Sequence, residues 1–190
     1  DFNRKNPILD RINVTYHDSI ETTIFDNQYD QYGKRRQMIL GIGDKLQPSH
    51  IPIELQDTGI VYLCPIADEV DPELVRCFKH SLIGVTPQGW MRQWGSSRQV
   101  RPKRWDTAEM ILSHTDILVL SDEDILANPK DLDKYIQWTK IVVLTRGKNG
   151  AILYENGQVI ESSSYSVKEV DPTGAGDVFA AAFLINYYDT

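Results

Sequence analysis

Four short apolar runs recur along the chain, and they constrain its fold more than any other feature. The runs lie within residues 60–63, 82–85, 116–120 and 141–144. Runs of this length without polar alternation are typical of strands that are buried on both faces of a sheet. Helix-forming patterns separate them, and strands that alternate with helices pair in parallel through crossovers. The sequence therefore predicts an α/β fold, with helices on both faces of a parallel sheet.

Ligands of such sheets bind where loops follow the carboxyl ends of the strands. In this chain, those loops begin near Cys64, Thr86, Ser121 and Thr145. An Asn156–Gly157 pair lies between two further apolar segments, and this pair is typical of a tight hairpin turn. We therefore expect candidate binding residues at one edge of the sheet and a β-hairpin after the last parallel strand.

The N-terminal part of the chain has a different character. Its β-branched and aromatic residues are concentrated in segments 12–16, 21–25 and 35–42. Such residues favour strands, and the polar stretches between them supply turns. We predict a small antiparallel β region within residues 1–45 and an α/β core over residues 46–190.

Charge and composition exclude several classes of protein. The chain has 190 residues, with 20 Lys or Arg and 27 Asp or Glu, and its net charge is −7. An acidic chain is a poor general binder of nucleic acids or anionic membranes. The apolar runs are too short to span a bilayer, and the two cysteines lack metal-ligand spacing. These features predict a cytoplasmic protein without a membrane or nucleic-acid partner.

The segment 173–179 carries the clearest chemical information. Gly174 and Gly176 flank Ala175 immediately before a stretch, 177–187, that favours helix. Small residues leave the first backbone N–H groups of a helix open to an anion. Asp177 beside that anion could accept a proton from a hydroxyl that attacks a phosphoryl group. An ordinary turn followed by a helix cap explains the same residues, and physics alone leaves both interpretations open.

The block formed by Asp171, residues 173–177 and Phe179 closely resembles the second signature of the ribokinase-like, or PfkB, family of sugar and nucleoside kinases. The resemblance implies a three-layer α/β sandwich with a mostly parallel sheet and a small antiparallel β lid. It also implies that Asp177 is the catalytic base. The backbone of residues 174–176 would then form the anion hole for the transferred phosphate.

A second loop is similar to the family's Thr-x-Gly-x-x-Gly nucleotide loop. It spans residues 145–150 and follows a predicted strand. The resemblance implies that the nucleotide is bound by Thr145, Gly147, Gly150, Ser121 and Thr173. Glycines let a backbone approach a phosphate or ribose closely, but an ordinary turn into the next strand gives the same pattern.

Ser121 and Asp124 stand where the family usually has Asn-x-x-Glu. A carboxylate at this position could order water around a phosphate-bound Mg²⁺, because Mg²⁺ keeps several waters and takes one or two carboxylates. The resemblance thus implies a metal role for Asp124, and the departure from Asn and Glu weakens that role. A solvated acidic cap at a helix N-terminus is the alternative.

The N-terminal segment 21–27, followed by Gly33, Lys34 and Arg35, is similar to part of the family's β lid. A lid excludes water and so limits wasteful hydrolysis of ATP. The same sheet could also form the interface of a homodimer. By resemblance, we expect the chain to begin and end inside a larger protein, because the family's upstream sugar-binding segment and the stretch that completes the adenine pocket are not found in these residues.

The leading hypothesis is an ATP-dependent, Mg²⁺-dependent kinase that phosphorylates a hydroxyl of a sugar, polyol or nucleoside. A second hypothesis is a non-catalytic nucleotide-binding or regulatory module on the same fold, which the departure at Ser121 and Asp124 favours. A third is nucleic-acid binding by the basic, aromatic segment 98–105. In an acidic chain, however, one local basic cluster is more typical of a solvated surface.

Overall fold

A computed structural model describes residues 11–31, 35–168, 170 and 173–190. Gly33, Lys34 and Asp171, which the resemblance assigns to the lid and the signature, lie outside the described residues. The strands, in chain order, are β1 (Ile24–Tyr29), β2 (Arg35–Gly41), β3 (Ile60–Leu63), β4 (Leu82–Val85), β5 (Arg92–Gln93), β6 (Arg101–Pro102), β7 (Ile117–Ser121), β8 (Ile141–Thr145), β9 (Ala151–Glu155) and β10 (Gln158–Ser162). The α-helices are α1 (Ala108–Leu112), α2 (Asp122–Ile125), α3 (Asp131–Trp138) and α4 (Ala175–Tyr188).

The central sheet has the strand order β10-β9-β8-β7-β4-β3. The pairs β3–β4, β4–β7 and β7–β8 are parallel, whereas β9 and β10 extend the sheet in antiparallel pairs. Left-handed φ angles at Asn156 (49°) and Gly157 (74°) turn the chain between β9 and β10, as a type I′ hairpin requires. The mostly parallel sheet and the hairpin are thus confirmed.

Both faces of the sheet are buried, which explains the unbroken apolar runs. Leu118 and Leu120 of β7 pack into a core that includes residues of α1 and α3. Ile117 and Val119 of the same strand lie on the other face, in a core with Leu184 of α4. Because successive side chains alternate between the faces of a strand, each strand needs apolar residues at every position. The helices α1 and α3 on one face, the sheet, and the helix α4 on the other face form the three predicted layers.

The helix α4 lies unusually close to β4. Ala180 and Leu184 of α4 are buried, and the helix contacts β3, β4 and β7. A Cβ atom built on Gly84 of β4 would lie 2.4 Å from both Cδ atoms of Leu184. Because Gly84 has no side chain, the leucine occupies the space where one would stand. This contact holds α4 across the parallel part of the sheet.

The longest α-helix in the described residues is α4, with 14 residues. It begins two residues before the predicted helix start at Asp177. No helix within the described ranges is long and apolar enough to cross a bilayer.

The strands β1 and β2 form a separate antiparallel sheet. This sheet is joined to the segment between β5 and β6 by backbone hydrogen bonds. The Ile39 N–H donates to the Arg98 carbonyl at 2.9 Å, and the Val100 N–H donates to the Gln37 carbonyl at 3.0 Å. The Arg98 guanidinium also donates to the Leu40 carbonyl at 3.0 Å. The small antiparallel sheet expected for the fold is therefore present, and it is attached to the core through residues 98–100.

Two strand predictions in the N-terminal part are wrong in detail. Residues 12–16 form no strand in the described structure. The strand predicted at residues 21–25 begins only at Ile24 and continues to Tyr29. β-propensity reflects packing against neighbouring strands more than an intrinsic backbone preference. Among the described residues, no neighbouring strand pairs with 12–16.

We expect Gly84→Ala to lower the free energy of unfolding by about 1–3 kcal/mol, because the added methyl overpacks the contact with Leu184. Gly95→Ala is the control, since a Cβ at Gly95 meets nothing within 4 Å, and its effect should stay within about 0.5 kcal/mol. Urea unfolding of both variants measures the difference. Equal stability of the two variants would contradict the close packing of α4 on β4.

Candidate active site

Polar side chains follow the parallel strands on one face of the sheet. Tyr62 of β3 lies on the α4 face, packed beside the core that contains Leu184. Residues two apart share a face, so Cys64 and Thr86 lie on this face just beyond the ends of β3 and β4. The same alternation places the last residues of β7 and β8, Ser121 and Thr145, on the α4 face. The predicted binding edge therefore collects polar groups beneath α4.

The N-terminus of α4 is open. Gly174 precedes the helix in a left-handed conformation, with φ 79°, and as the N-cap residue it has no side chain to cap the helix. A Cβ atom on Gly174 or Gly176 would meet no described atom within 4 Å. The first N–H groups of a helix have no partner within it, and they lie at the positive end of its dipole. Ala175 begins the helix, so the space beside Gly174 and Gly176 lies at the helix end that attracts anions.

Asp177 lies in the first turn of α4 with an exposed side chain. The Tyr62 hydroxyl donates to Asp177 Oδ1 over 3.5 Å. The same hydroxyl lies 3.0 Å from Thr86 Oγ1. Asp177 is therefore joined to the carboxyl ends of β3 and β4, the place at which α/β sheets bind ligands.

Two neighbouring groups are held in their neutral forms. Burial raises the pKa of the Tyr62 hydroxyl, and the charge of Asp177 adds to that effect. Burial is also the largest cause of a raised pKa for the Cys64 thiol, although the residue as a whole is exposed. The charges of Asp177 and Glu69 raise the pKa of Cys64 further. A raised pKa favours the neutral thiol over the thiolate, which is the reactive form of cysteine.

The loop after β8 is a compact turn. The Arg146 N–H donates to the Gly150 carbonyl at 2.7 Å, and the Gly150 N–H donates to the Gly147 carbonyl at 3.0 Å. Gly150 has φ 86°, and a Cβ there would lie 1.9 Å from the Ser162 carbonyl oxygen. Gly147 has φ 52°, and a Cβ there would meet no described atom within 4 Å. Gly150 is thus required by the turn itself, whereas Gly147 leaves open space beside the backbone.

Thr145 and Ser121 are neighbours at this edge, because they are paired in the register of β7 and β8. Arg146 forms an ion pair with Glu161 of β10 at 3.1 Å. Lys148 is exposed. The positive charge of Arg146 is thus partly neutralised by Glu161, and Lys148 is the more accessible cation of the loop.

Ser121 and Asp124 cap the helix α2 reciprocally. Asp124 Oδ2 accepts from the Ser121 N–H and from the Ser121 hydroxyl, both at 2.8 Å. The Asp124 N–H donates to Ser121 Oγ at 3.3 Å. The cap therefore uses one carboxylate oxygen of Asp124. In the described part of the chain, no group of three or more His, Cys, Asp or Glu side chains could hold a metal ion. A single carboxylate beside bound water still suits Mg²⁺.

The sequence signature is matched by a family model. The model described as pfkB family carbohydrate kinase covers residues 91–189, just over half of the chain. The chain belongs to the pfkB family of carbohydrate kinases. The family inferred from the signature is therefore confirmed.

Relatives of this family agree on kinase chemistry. A cytidine kinase of Thermococcus kodakarensis is 28% identical to the chain over 158 residues, which are 78% of this chain and 54% of that protein. The chain spans about half the length of the curated relatives it matches. These relatives are kinases of sugars and nucleosides.

Solved structures share the fold. A pyrophosphate-dependent kinase in the ribokinase family, complexed with a pyrophosphate analog and myo-inositol, has a TM-score of 0.72 at 22% identity, over 89% of this chain and 62% of that one. An E. coli protein in complex with ATP and Mg²⁺ has a TM-score of 0.61 at 22% identity, over 82% and 55% of the two chains. At such identities the likeness establishes the ribokinase fold.

The sequence alone did not single out Tyr62, which lies within an apolar strand pattern. One signal for it exists: Val61 and Leu63 on either side are buried on the opposite face. A polar tip near the end of a strand, on the α4 face, marks a residue that can reach the site. Thr86 and Cys64 were predicted only as the starts of candidate loops.

The two glycines of the β8–β9 loop should differ in their tolerance of a side chain. We expect Gly150→Ala to lower the free energy of unfolding by more than about 3 kcal/mol, because backbone strain and a steric overlap with Ser162 add together. Gly147→Ala should cost about 1–2 kcal/mol from its left-handed backbone alone. Urea unfolding curves of both variants test this, and equal losses would contradict the described turn.

Proposed function

We propose that the protein transfers the γ-phosphoryl group of ATP to a hydroxyl of a sugar, polyol or nucleoside. The observation that carries this proposal is the open N-terminus of α4, with Asp177 in its first turn at the binding edge of the sheet. Membership of the pfkB family supports it. The whole reaction is part of this proposal, because the chain spans about half the length of the curated relatives it matches.

In this proposal Asp177 is the general base. Its carboxylate accepts the proton of the acceptor hydroxyl while the hydroxyl oxygen forms a bond to the γ-phosphorus of ATP. The bond between that phosphorus and the bridging oxygen breaks, and ADP leaves with the electron pair. The backbone N–H groups of Gly174, Ala175 and Gly176 stabilise the charge of the transferred group, as fixed dipoles do in a site from which water is excluded. Positioning and charge stabilisation supply most of the catalysis of such transfers.

The nucleotide is assigned to the loop edge of the sheet. Thr145, Gly147 and Gly150 would line it, with Ser121 and Thr173 nearby. The open side of Gly147 and the empty space at Gly174 fit an approaching phosphate chain, because a Cβ at either position would meet no described atom. Solved structures similar to this chain carry ATP with Mg²⁺ or a pyrophosphate analog, and ATP is the donor that we propose.

Asp124 is the residue that would hold Mg²⁺, through water. Its position in α2, three residues after the end of β7, and its second carboxylate oxygen fit that role, since the cap engages Oδ2. Bound Mg²⁺ would neutralise charge on the nucleotide phosphates.

We also propose a class of acceptor, a cellular location and an oligomeric state for the protein. The names of the relatives point to a nucleoside or a sugar acid, and a similar structure contains myo-inositol. We propose a small, hydroxyl-rich acceptor beneath the β1–β2 sheet, which would act as its lid and as the interface of a homodimer. The two free cysteines agree with a cytoplasmic location.

A second candidate is a non-catalytic nucleotide-binding or regulatory module. It is favoured by the commitment of Asp124 to the cap of α2. Calorimetric binding of ATP, combined with the absence of phosphoryl transfer to a panel of sugars, polyols and nucleosides, would favour this candidate over the kinase.

Asp177→Asn in the full-length protein should lower kcat by about 10²- to 10⁴-fold, because the amide cannot accept the hydroxyl proton. Nucleotide binding should persist. The control is Asp189→Asn at the other end of α4, where the residue is exposed and kcat should not change. The measurement is ADP release against the acceptor panel. Full activity of the Asp177→Asn variant would remove Asp177 from the role of base.

Asp124→Asn should raise the Mg²⁺ concentration needed for half-maximal rate by about tenfold or more, because the variant loses a charge beside the metal's water shell. The amide oxygen can still accept from Ser121, so the thermal midpoint should change little. Asp122→Asn, an exposed neighbour in α2, is the control. An unchanged Mg²⁺ dependence in Asp124→Asn would show that Asp124 only caps the helix.

A further inference from the structure

A chain of three hydroxyl and carboxyl groups connects two strands of the sheet to the first turn of α4. Thr86 Oγ1 and the Tyr62 hydroxyl lie 3.0 Å apart. The Tyr62 hydroxyl and Asp177 Oδ1 lie 3.5 Å apart. Tyr62 and Asp177 are 115 residues apart in the sequence, so only the packing of α4 on the sheet brings them together.

The chemistry of the three groups determines the direction of the hydrogen bonds. An ionised carboxylate only accepts, and a phenol carries a single hydrogen. If Tyr62 donates that hydrogen to Asp177, the Thr86 hydroxyl must donate to the Tyr62 oxygen. The order is therefore Thr86 to Tyr62 to Asp177. Burial raises the pKa of Tyr62, which keeps the phenol protonated and able to donate.

The surroundings of Tyr62 suit a rigid support. Tyr62 is paired with Gly84 in the register of β3 and β4. The Tyr62 side chain packs against the core that contains Ala180 and Leu184. The hydroxyl is therefore held by a strand, whereas Asp177 is exposed at a helix end. At 3.5 Å the contact with Asp177 is longer than the usual hydrogen bond between oxygens, and hydrogen bonds at catalytic residues often shorten once substrate is bound.

We propose that Tyr62 and Thr86 are positioning residues, which hold the Asp177 carboxylate by Oδ1 so that its other oxygen meets the acceptor hydroxyl. This inference rests on the proposed role of Asp177 as base. Neither residue touches a reacting atom. Their effect is to reduce the number of orientations of the carboxylate, and small errors in the placement of a catalytic group cost large factors in rate.

Tyr62→Phe in the full-length protein removes one hydroxyl and keeps the ring. We expect kcat to fall about 10- to 100-fold while KM for ATP and acceptor stays unchanged, because only the orientation of the base is lost. Thr86→Val should lower kcat in the same direction, and Thr86→Ser should restore it. Since Thr86 acts through Tyr62, the double variant should be no slower than Tyr62→Phe alone. Tyr154→Phe on β9, another partly buried tyrosine, is the matched control and should retain the original kcat.

Comparison with Asp177→Asn separates this inference from the proposed function. If Asp177→Asn is inactive while Tyr62→Phe has the original kcat, the positioning role is wrong and the base assignment stands. If Asp177→Asn is fully active, the assignment of Asp177 as base is wrong and the positioning role is lost with it, whereas a full-length protein that phosphorylates no acceptor would contradict the proposed function itself. A Tyr62→Phe variant whose thermal midpoint falls while kcat is unchanged would show a purely structural role for Tyr62. A fall in kcat that Thr86→Val shares and Thr86→Ser does not would support the inference.

Discussion

The contact between Leu184 of α4 and Gly84 of β4 is the interaction on which the rest of the site depends. Leucine side-chain carbons occupy the space of a missing Cβ, so the helix lies closer to the sheet than two ordinary side chains would allow. The closeness puts the first turn of α4 within reach of Tyr62. A larger residue at position 84 would push the helix away from the sheet and separate Asp177 from its support.

Alternation of side chains builds both the core and the site. Along β7, Ile117 and Val119 are buried under α4, and Ser121 follows on the same face at the end of the strand. The same period of two places Tyr62 and Thr86 beneath the helix. Apolar residues in the middle of the sheet hold α4, and polar residues follow at the carboxyl edge, where Tyr62 reaches Asp177 in the first turn of α4. Position along the strand, more than residue type alone, separates the structural groups from the chemical ones.

Features governed by local physics were predictable from the sequence. Strands buried on both faces leave unbroken apolar runs, and the left-handed angles of Asn156 and Gly157 need the residue types that the turn contains. The strand predicted at 12–16 does not form, because no strand of the described residues pairs with it. Local sequence does not reveal whether such a partner is present. The link between Tyr62 and Asp177 was equally hidden, because it spans most of the chain. Gly147 and Gly150 look alike in a motif, and only the nearby Ser162 carbonyl distinguishes them.

The attachment of the β1–β2 sheet has a mechanical consequence. Its strand β2 is hydrogen-bonded through Ile39 and Gln37 to the backbone at Arg98 and Val100. Any rotation of this sheet toward the large one must carry residues 98–100 with it or break those bonds. The Arg92 guanidinium, 5.6 Å from the centre of the Phe25 ring, forms a further contact between β5 and β1. Any movement of the β1–β2 sheet that keeps these contacts would therefore also move the segment between β5 and β6.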